Sequence, residues 1–237
     1  RVIAVPIYPL CGPSTTVSSI DSLEGAIDEE SGFDPEFTAI TGWHRAPIYN
    51  RLRSEGIQSF LEEEGLDPND PETTFVFSAH GTPTKYLDEG SRYDQYVEEH
   101  AQAVAGMVGI ESYEIGYQNH ANRGIEWTDP ETEDVVVGLE GDAERVIVEP
   151  MSFMHEQSET LVELDVDLAD DAAEVGIEMF RVPVPHDDPR FPELLADVAE
   201  PFLSGFAPSY YQLRQCQCRN EEGTFCFNAE LPPQAGD

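Results

Sequence analysis

The chain has 237 residues, 40% of them hydrophobic and 10% aromatic, enough apolar material for one large or two small folded domains. Its 48 acidic residues face only 12 lysines and arginines, a formal net charge of −36, which argues against nucleic acid or anionic lipid as a partner because both are held by basic side chains. No run of 18 apolar residues and no basic stretch leading into an apolar core occurs, so neither a transmembrane helix nor a signal peptide is expected, and the location expected is cytoplasmic.

In chain order, the apolar run Val2–Ile7 reads as a strand. Arg1 opens directly into it, as if a strand were entered mid-fold, so the sequence is expected to be a piece of a longer gene product. Helical patterns follow over Val17–Asp28 and Ala46–Glu63, then a turn-rich stretch, Asp67-Pro-Asn-Asp-Pro-Glu72. A strand over Thr73–Ala79 leads to a helix over Tyr93–Val108, in which Val97, Ala101, Val104 and Val108 share one face. Strands over Tyr113–Tyr117, Arg145–Glu149 and Gly176–Val182 alternate with helices over Glu131–Leu139, Ser158–Ala172 and Phe191–Ser204. From Cys216 onward the pattern stops and the chain is expected to be irregular. This alternation predicts an α/β fold with parallel sheets flanked by helices. We divide it into a first unit over 1–70, a second over 71–205 and a cysteine-bearing extension over 206–237.

The acids are spread along the whole chain rather than gathered in a tail, and Lys85 is the single lysine. Such a charge repels itself in dilute buffer. At molar salt the screening length falls to about 3 Å, so a high-salt, halophile-like cytoplasm suits this composition.

Two segments carry chemistry. In Phe75-Val-Phe-Ser-Ala-His80-Gly-Thr-Pro83 a buried strand ends in a histidine and a sharp turn. Open α/β folds bind ligands at that sheet edge, and imidazole there can bind a metal or move a proton. A hydrogen-bonded loop histidine is the bland alternative. In the second, Val146-Ile-Val-Glu-Pro150 runs through a loop into a helix on which Glu159, Glu163 and Asp167 are spaced i, i+4, i+8. Three like charges on one stripe repel, and an arriving divalent cation relieves that. In so acidic a chain, a solvated face explains the spacing equally well.

Together these residues resemble the ferrochelatase family. The likeness rests on Ser78-Ala-His80-Gly-Thr-Pro83 and Glu159-Thr-Leu-Val-Glu163-Leu-Asp165. Ile7-Tyr-Pro9 with Ser14-Thr-Thr-Val-Ser-Ser19, and Tyr117-Gln118 ahead of Trp127 and Pro130, extend it in family order. The resemblance implies two Rossmann-like, chelatase-type domains facing each other across a cleft, the first incomplete here. It also implies a lyase that inserts ferrous iron into protoporphyrin IX or coproporphyrin III in heme biosynthesis. By the same resemblance His80 and Glu159 are the catalytic pair and the first ligands of the ferrous ion. Glu163 and Asp167 continue the iron path, and Tyr8, Pro9, Ser14 and Thr15 hold the porphyrin. Many members carry a histidine two positions before the glutamate, where this chain has Gln157; His155, two residues further upstream, is expected to face elsewhere.

Cys11, Cys216, Cys218 and Cys226 are the four cysteines. Four thiolates can hold a [2Fe–2S] cluster or a structural zinc, and the resemblance favours the cluster; reduced thiols are the plain alternative. Trp43, His44 and Arg45 read as packing or capping residues, His186 as a solvated loop residue, and Tyr210-Tyr211 as packing the tail onto the body. Two other functions fit the same motifs: a sirohydrochlorin chelatase for cobalt, nickel or iron, and a non-catalytic tetrapyrrole-binding iron–sulfur protein. Chelatases of the former kind tend to use paired histidines, so a single His80 with an acidic partner favours iron and a true porphyrin.

Overall fold

The computed structural model describes residues 1–119, 124–205, 214–216, 219 and 221–227. Strand β1 (Val2–Ala4) is followed by a π-helical segment, Pro13–Val17, that runs directly into helix α1 (Ser18–Glu29). Strand β2 (Phe37–Ile40) then leads into α2 (Pro47–Glu64). Pro47 suits the first turn of α2, where no N–H partner is needed. Gly65 closes the helix in the left-handed conformation, φ 68°.

The second unit opens with β3 (Thr73–His80), α3 (Thr84–Asp88) and α4 (Tyr93–Val108), followed by β4 (Glu114–Gln118) and α5 (Thr132–Val137). Next come β5 (Arg145–Pro150), α6 (Ser158–Leu161), a second π-helical segment (Glu163–Leu168), α7 (Ala169–Glu174), β6 (Glu178–Arg181) and α8 (Phe191–Leu203). All four of its strands are parallel, in the order β4-β3-β5-β6. Helices cover both faces of this sheet, so its central strand is apolar on both sides: Phe75, Val76 and Phe77 are fully buried. Each such side chain contributes roughly 1.5–3 kcal/mol of burial. Gly116 lets α5 lie close to β4, since a Cβ there would stand 2.7 Å from Thr132 Cα.

The chain's last described residues differ from expectation. Arg214–Gln215 (β7) and Thr224–Cys226 (β8) form an antiparallel pair, and β8 adds in parallel to β2. The other sheet therefore has the order β1-β2-β8-β7. Helix α8 also returns to it: Leu194, Val198 and Phe202 pack with Ile40, Trp43 and Tyr49. The expected helix over Ser158–Ala172 is interrupted. The Asp167 N–H donates to the Val162 carbonyl at 2.9 Å, an i→i−5 bond that widens the turn. The first strand ends at Ala4 rather than Ile7, and Ile7 and Tyr8 stand exposed beyond it.

Two buried arginines join elements. Arg53 of α2, fully buried, pairs with Glu149 of β5 and donates to the carbonyls of Pro150 (3.0 Å) and Phe153 (3.2 Å). Tyr49, one turn earlier, donates to the Met151 carbonyl at 3.2 Å. The loop after β5 is thus fastened to the helix of the other unit. Arg219 similarly joins Asp21 and Glu24 of α1 to Thr224 of β8.

Candidate active site

His80 is the last residue of β3, so the strand aims it at the sheet's C-terminal edge. Three bonds fix it. Its N–H donates to Ser152 Oγ (2.8 Å), its carbonyl accepts from the Tyr93 hydroxyl (2.8 Å), and its Nδ1 meets the Gly81 carbonyl at 2.7 Å. A carbonyl only accepts, so Nδ1 carries the proton and Nε2 keeps a lone pair for a proton or a metal.

Glu159 is positioned by a buried polar chain. Ser78 of β3 donates to Gln118 Oε1 at 2.7 Å and sits 2.9 Å from Thr132 Oγ1; Gln118 Nε2 donates to the Glu159 carbonyl at 2.8 Å. Strand β3 therefore sets the place of both His80 and Glu159. The Glu159 carboxylate accepts from Ser158 Oγ at 2.7 Å, and this bond, with lesser help from His80 and His155, holds it below the usual carboxylate range.

His80 and Glu159 line one cavity of about 230 Å³. Its walls are Tyr8, Leu10 and Thr15 from the first unit, Tyr93 from α4, and Phe153, Met154 and His155 from the loop that Arg53 fastens. Next to it lies a second cavity of about 250 Å³, where Glu163, Asp167 and Asp171 face Glu131 and Glu133. Burial, reinforced by the charge of Glu159, holds Glu163 above the usual carboxylate range. Of the residues singled out from sequence, Tyr8, Thr15, His80 and Glu159 share the first cavity, and Glu163 and Asp167 line the second. Pro9 and Ser14 line neither: the Pro9 carbonyl accepts from the N–H groups of Trp43 and His44, and the Ser14 carbonyl accepts from Ser18 Oγ.

A family model described as Ferrochelatase matches residues 1–202. The chain belongs to the ferrochelatase family. It is 35% identical over 204 residues to the ferrochelatase of Nostoc punctiforme, covering 84% of this chain and 51% of that protein. To the ferrochelatase of Geobacter sp. strain M21 it is 31% identical over 202 residues, 84% of this chain and 62% of the relative. The chain thus spans about half to three-fifths of the length of these curated ferrochelatases. A solved structure of CbiX, titled the terminal enzyme for siroheme biosynthesis in denitrifying bacteria, shares the fold. It superposes with a TM-score of 0.54 at 16% identity, covering 86% of this chain and 76% of that one.

The expectation for His155 needs correcting. It lies in the loop ahead of α6, not on a helix, and it lines the cavity that holds His80 and Glu159. Helical geometry does not apply to a residue outside the helix. Ser152 and Tyr93 escaped notice because they act on the backbone of His80, which no local pattern announces. Trp43 and His44 are buried packing residues as expected, with His44 Nε2 3.2 Å from Glu99. Tyr210 and Tyr211 lie outside the described residues.

Cys11, Cys216 and Cys226 are buried in one apolar cluster, and the Arg219 N–H points at Cys216 Sγ at 3.3 Å. Cys218 lies outside the described residues. Among the described residues no group of three or more His, Cys, Asp or Glu side chains is arranged to hold a metal ion. No described helix is long and apolar enough to cross a membrane.

Proposed function

We propose that the full-length protein inserts ferrous iron into a porphyrin, protoporphyrin IX or coproporphyrin III, as a step of heme biosynthesis in a high-salt cytoplasm. The reading is carried by one observation: His80 and Glu159, 79 positions apart in sequence, line the same cavity. A free porphyrin holds two pyrrole N–H protons. Each N–H bond must break with its electron pair left on nitrogen, and the two pairs then bind the ferrous ion. In this reading Tyr8, Thr15 and Phe153 seat the flat ring, and binding energy from such walls can bend it toward the metallated shape. His80 Nε2 and the Glu159 carboxylate accept protons or hold the ion, while Glu163 and Asp167 supply it from the neighbouring acidic cavity. The test is anaerobic incubation of the full-length protein at high salt with ferrous iron and each porphyrin, read as a Soret-band shift. A protein that metallates neither porphyrin overturns the reading.

The presence of two imidazoles, His80 and His155, in one cavity favours a second reading, a sirohydrochlorin chelatase. The same assay with sirohydrochlorin and cobalt or nickel separates the two.

We also propose that Cys11, Cys216, Cys218 and Cys226 hold a [2Fe–2S] cluster. What supports the reading is that three of the thiols lie in one apolar cluster and an N–H donor points at one sulfur; against it, the described thiols are not gathered as a metal site. A bound cluster would supply one-electron chemistry or a rigid crosslink. Iron and acid-labile sulfide analysis with EPR after reduction tests this; a colourless, zinc-containing protein overturns it.

A further inference from the structure

Glu159 and Glu163 sit on one short stretch of chain yet line different cavities. That stretch is irregular: the short helix α6 gives way almost at once to the π-helical segment Glu163–Leu168. In a straight α-helix every fourth residue runs about 40° past a full turn, so Asp167 would stand about 80° round the axis from Glu159. The i→i−5 turn that Asp167 closes takes one more residue and draws it back toward that line. Such turns are rare in helices, and a hold from outside the stretch favours this one. Arg181, the last residue of β6, supplies it. Its largely buried side chain forks onto both oxygens of Asp165: Nε pairs with Oδ1, and Nη2 donates to Oδ2 at 2.7 Å. Its Nη1 donates at 2.9 Å to Glu156 Oε1, which also accepts from the Val184 N–H at 2.9 Å. Glu156 precedes Glu159 and Asp165 follows Glu163, so one guanidinium grips the chain on both sides of the two carboxylates. A forked contact fixes direction as well as distance, which a lysine ammonium does not.

We propose that Arg181 is a positioning residue for metal delivery. By bracing Glu156 and Asp165 against β6, it keeps the Glu163 and Asp167 carboxylates in line with Glu159, so that the ferrous ion passes from the acidic cavity to the one that holds His80. Arg181 lines neither cavity and acts only through the chain it grips. This inference rests on the iron-insertion reading.

The test compares the full-length wild type with Arg181→Met and Arg181→Lys, measuring initial rates of iron insertion as ferrous iron and porphyrin are varied in turn. Charge alone predicts that removing a cation beside the acidic cavity draws iron in more strongly and lowers its KM. Positioning predicts the opposite. Arg181→Met should raise KM for ferrous iron about five-fold, and Arg181→Lys, which keeps the charge and loses the fork, about two-fold. KM for porphyrin, and porphyrin binding by fluorescence quenching, should match the wild type. A variant that loses only stability, with an unchanged or lowered KM for iron in its folded fraction, overturns the positioning role. If Arg181→Met does not fold, Arg181→Lys decides: an iron KM equal to that of an active wild type overturns the role alone. A wild type inactive on every porphyrin overturns the iron-insertion reading and this role together.

Discussion

The two neighbouring cavities are built on opposite principles. The one holding His80 is framed by apolar and aromatic side chains, and its polar groups are held by hydrogen bonds from behind. The adjoining one is lined by carboxylates from the second π-helical segment, α7 and the stretch leading into α5. A flat, largely apolar ring suits the first; in the proposed reading the second draws in the ferrous ion by its negative charge, without its described carboxylates forming a metal site. The difference teaches where each kind of damage should show: substitutions behind the first should cost stability or turnover, and substitutions in the second should cost metal affinity.

The largest expected effect lies behind the first cavity. Arg53→Met leaves Glu149 buried without its cation, and the protein should lose about 3–5 kcal/mol. Adding Glu149→Leu should recover most of that loss. Chemical denaturation at fixed salt measures both, and a single variant as stable as wild type would mean that the loop after β5 needs no such fastening. Next, His80→Ala should lower iron insertion by about a hundredfold or more while leaving porphyrin binding intact. A tetrapyrrole carrier would have no such activity to lose, so this variant also tests the division between a ring-holding and an ion-holding cavity.

A smaller effect comes from His100. This ring is buried and stacks on Tyr49 with centroids 5.0 Å apart, and neither of its nitrogens has a hydrogen-bond partner among the described residues. Burial, with the nearby charges of His44 and Arg53, pushes its pKa well below the ordinary value of 6.5. The unfolded chain therefore binds a proton that the folded chain refuses. The contribution of His100 is fully present above about pH 6.5 and falls by about 1.4 kcal/mol per pH unit below it. In His100→Phe this part of the acid sensitivity should vanish, as denaturation midpoints at several pH values would reveal. The smallest effect is expected in the acidic cavity: Glu163→Gln with Asp167→Asn should raise KM for ferrous iron several-fold, about 1 kcal/mol, with kcat and porphyrin binding little changed. A drop in kcat alone would argue that these carboxylates act on the ring rather than on the ion.

Long elements with strong periodicity were legible in the sequence. The helix over Tyr93–Val108 has the bounds expected of it, because its apolar face repeats over four turns and Gly109 stops it in the left-handed conformation. The buried run of β3 was equally plain. By contrast, β2 has only four residues and no contrasting flanks, and β8 joins the sheet through a partner strand some 185 positions away. Nothing local marks such pairing. The i, i+4, i+8 spacing of Glu159, Glu163 and Asp167 fits an α-helix and a wider turn alike, so the π-helical segment was invisible. That His80 and Glu159 belong together followed from family likeness; that Ser78, Gln118 and Ser152 set their places needed coordinates.

The position of β8 between β2 and β7 has a consequence for biosynthesis. Every strand of the four-stranded parallel sheet lies between residues 73 and 181, so that half can assemble while the ribosome is still working. Strand β2, made much earlier, waits for Thr224–Cys226 to emerge before its open edge is paired. Unpaired strand edges invite association with other chains, so nascent molecules stalled short of residue 226 should be the ones that chaperones and proteases intercept.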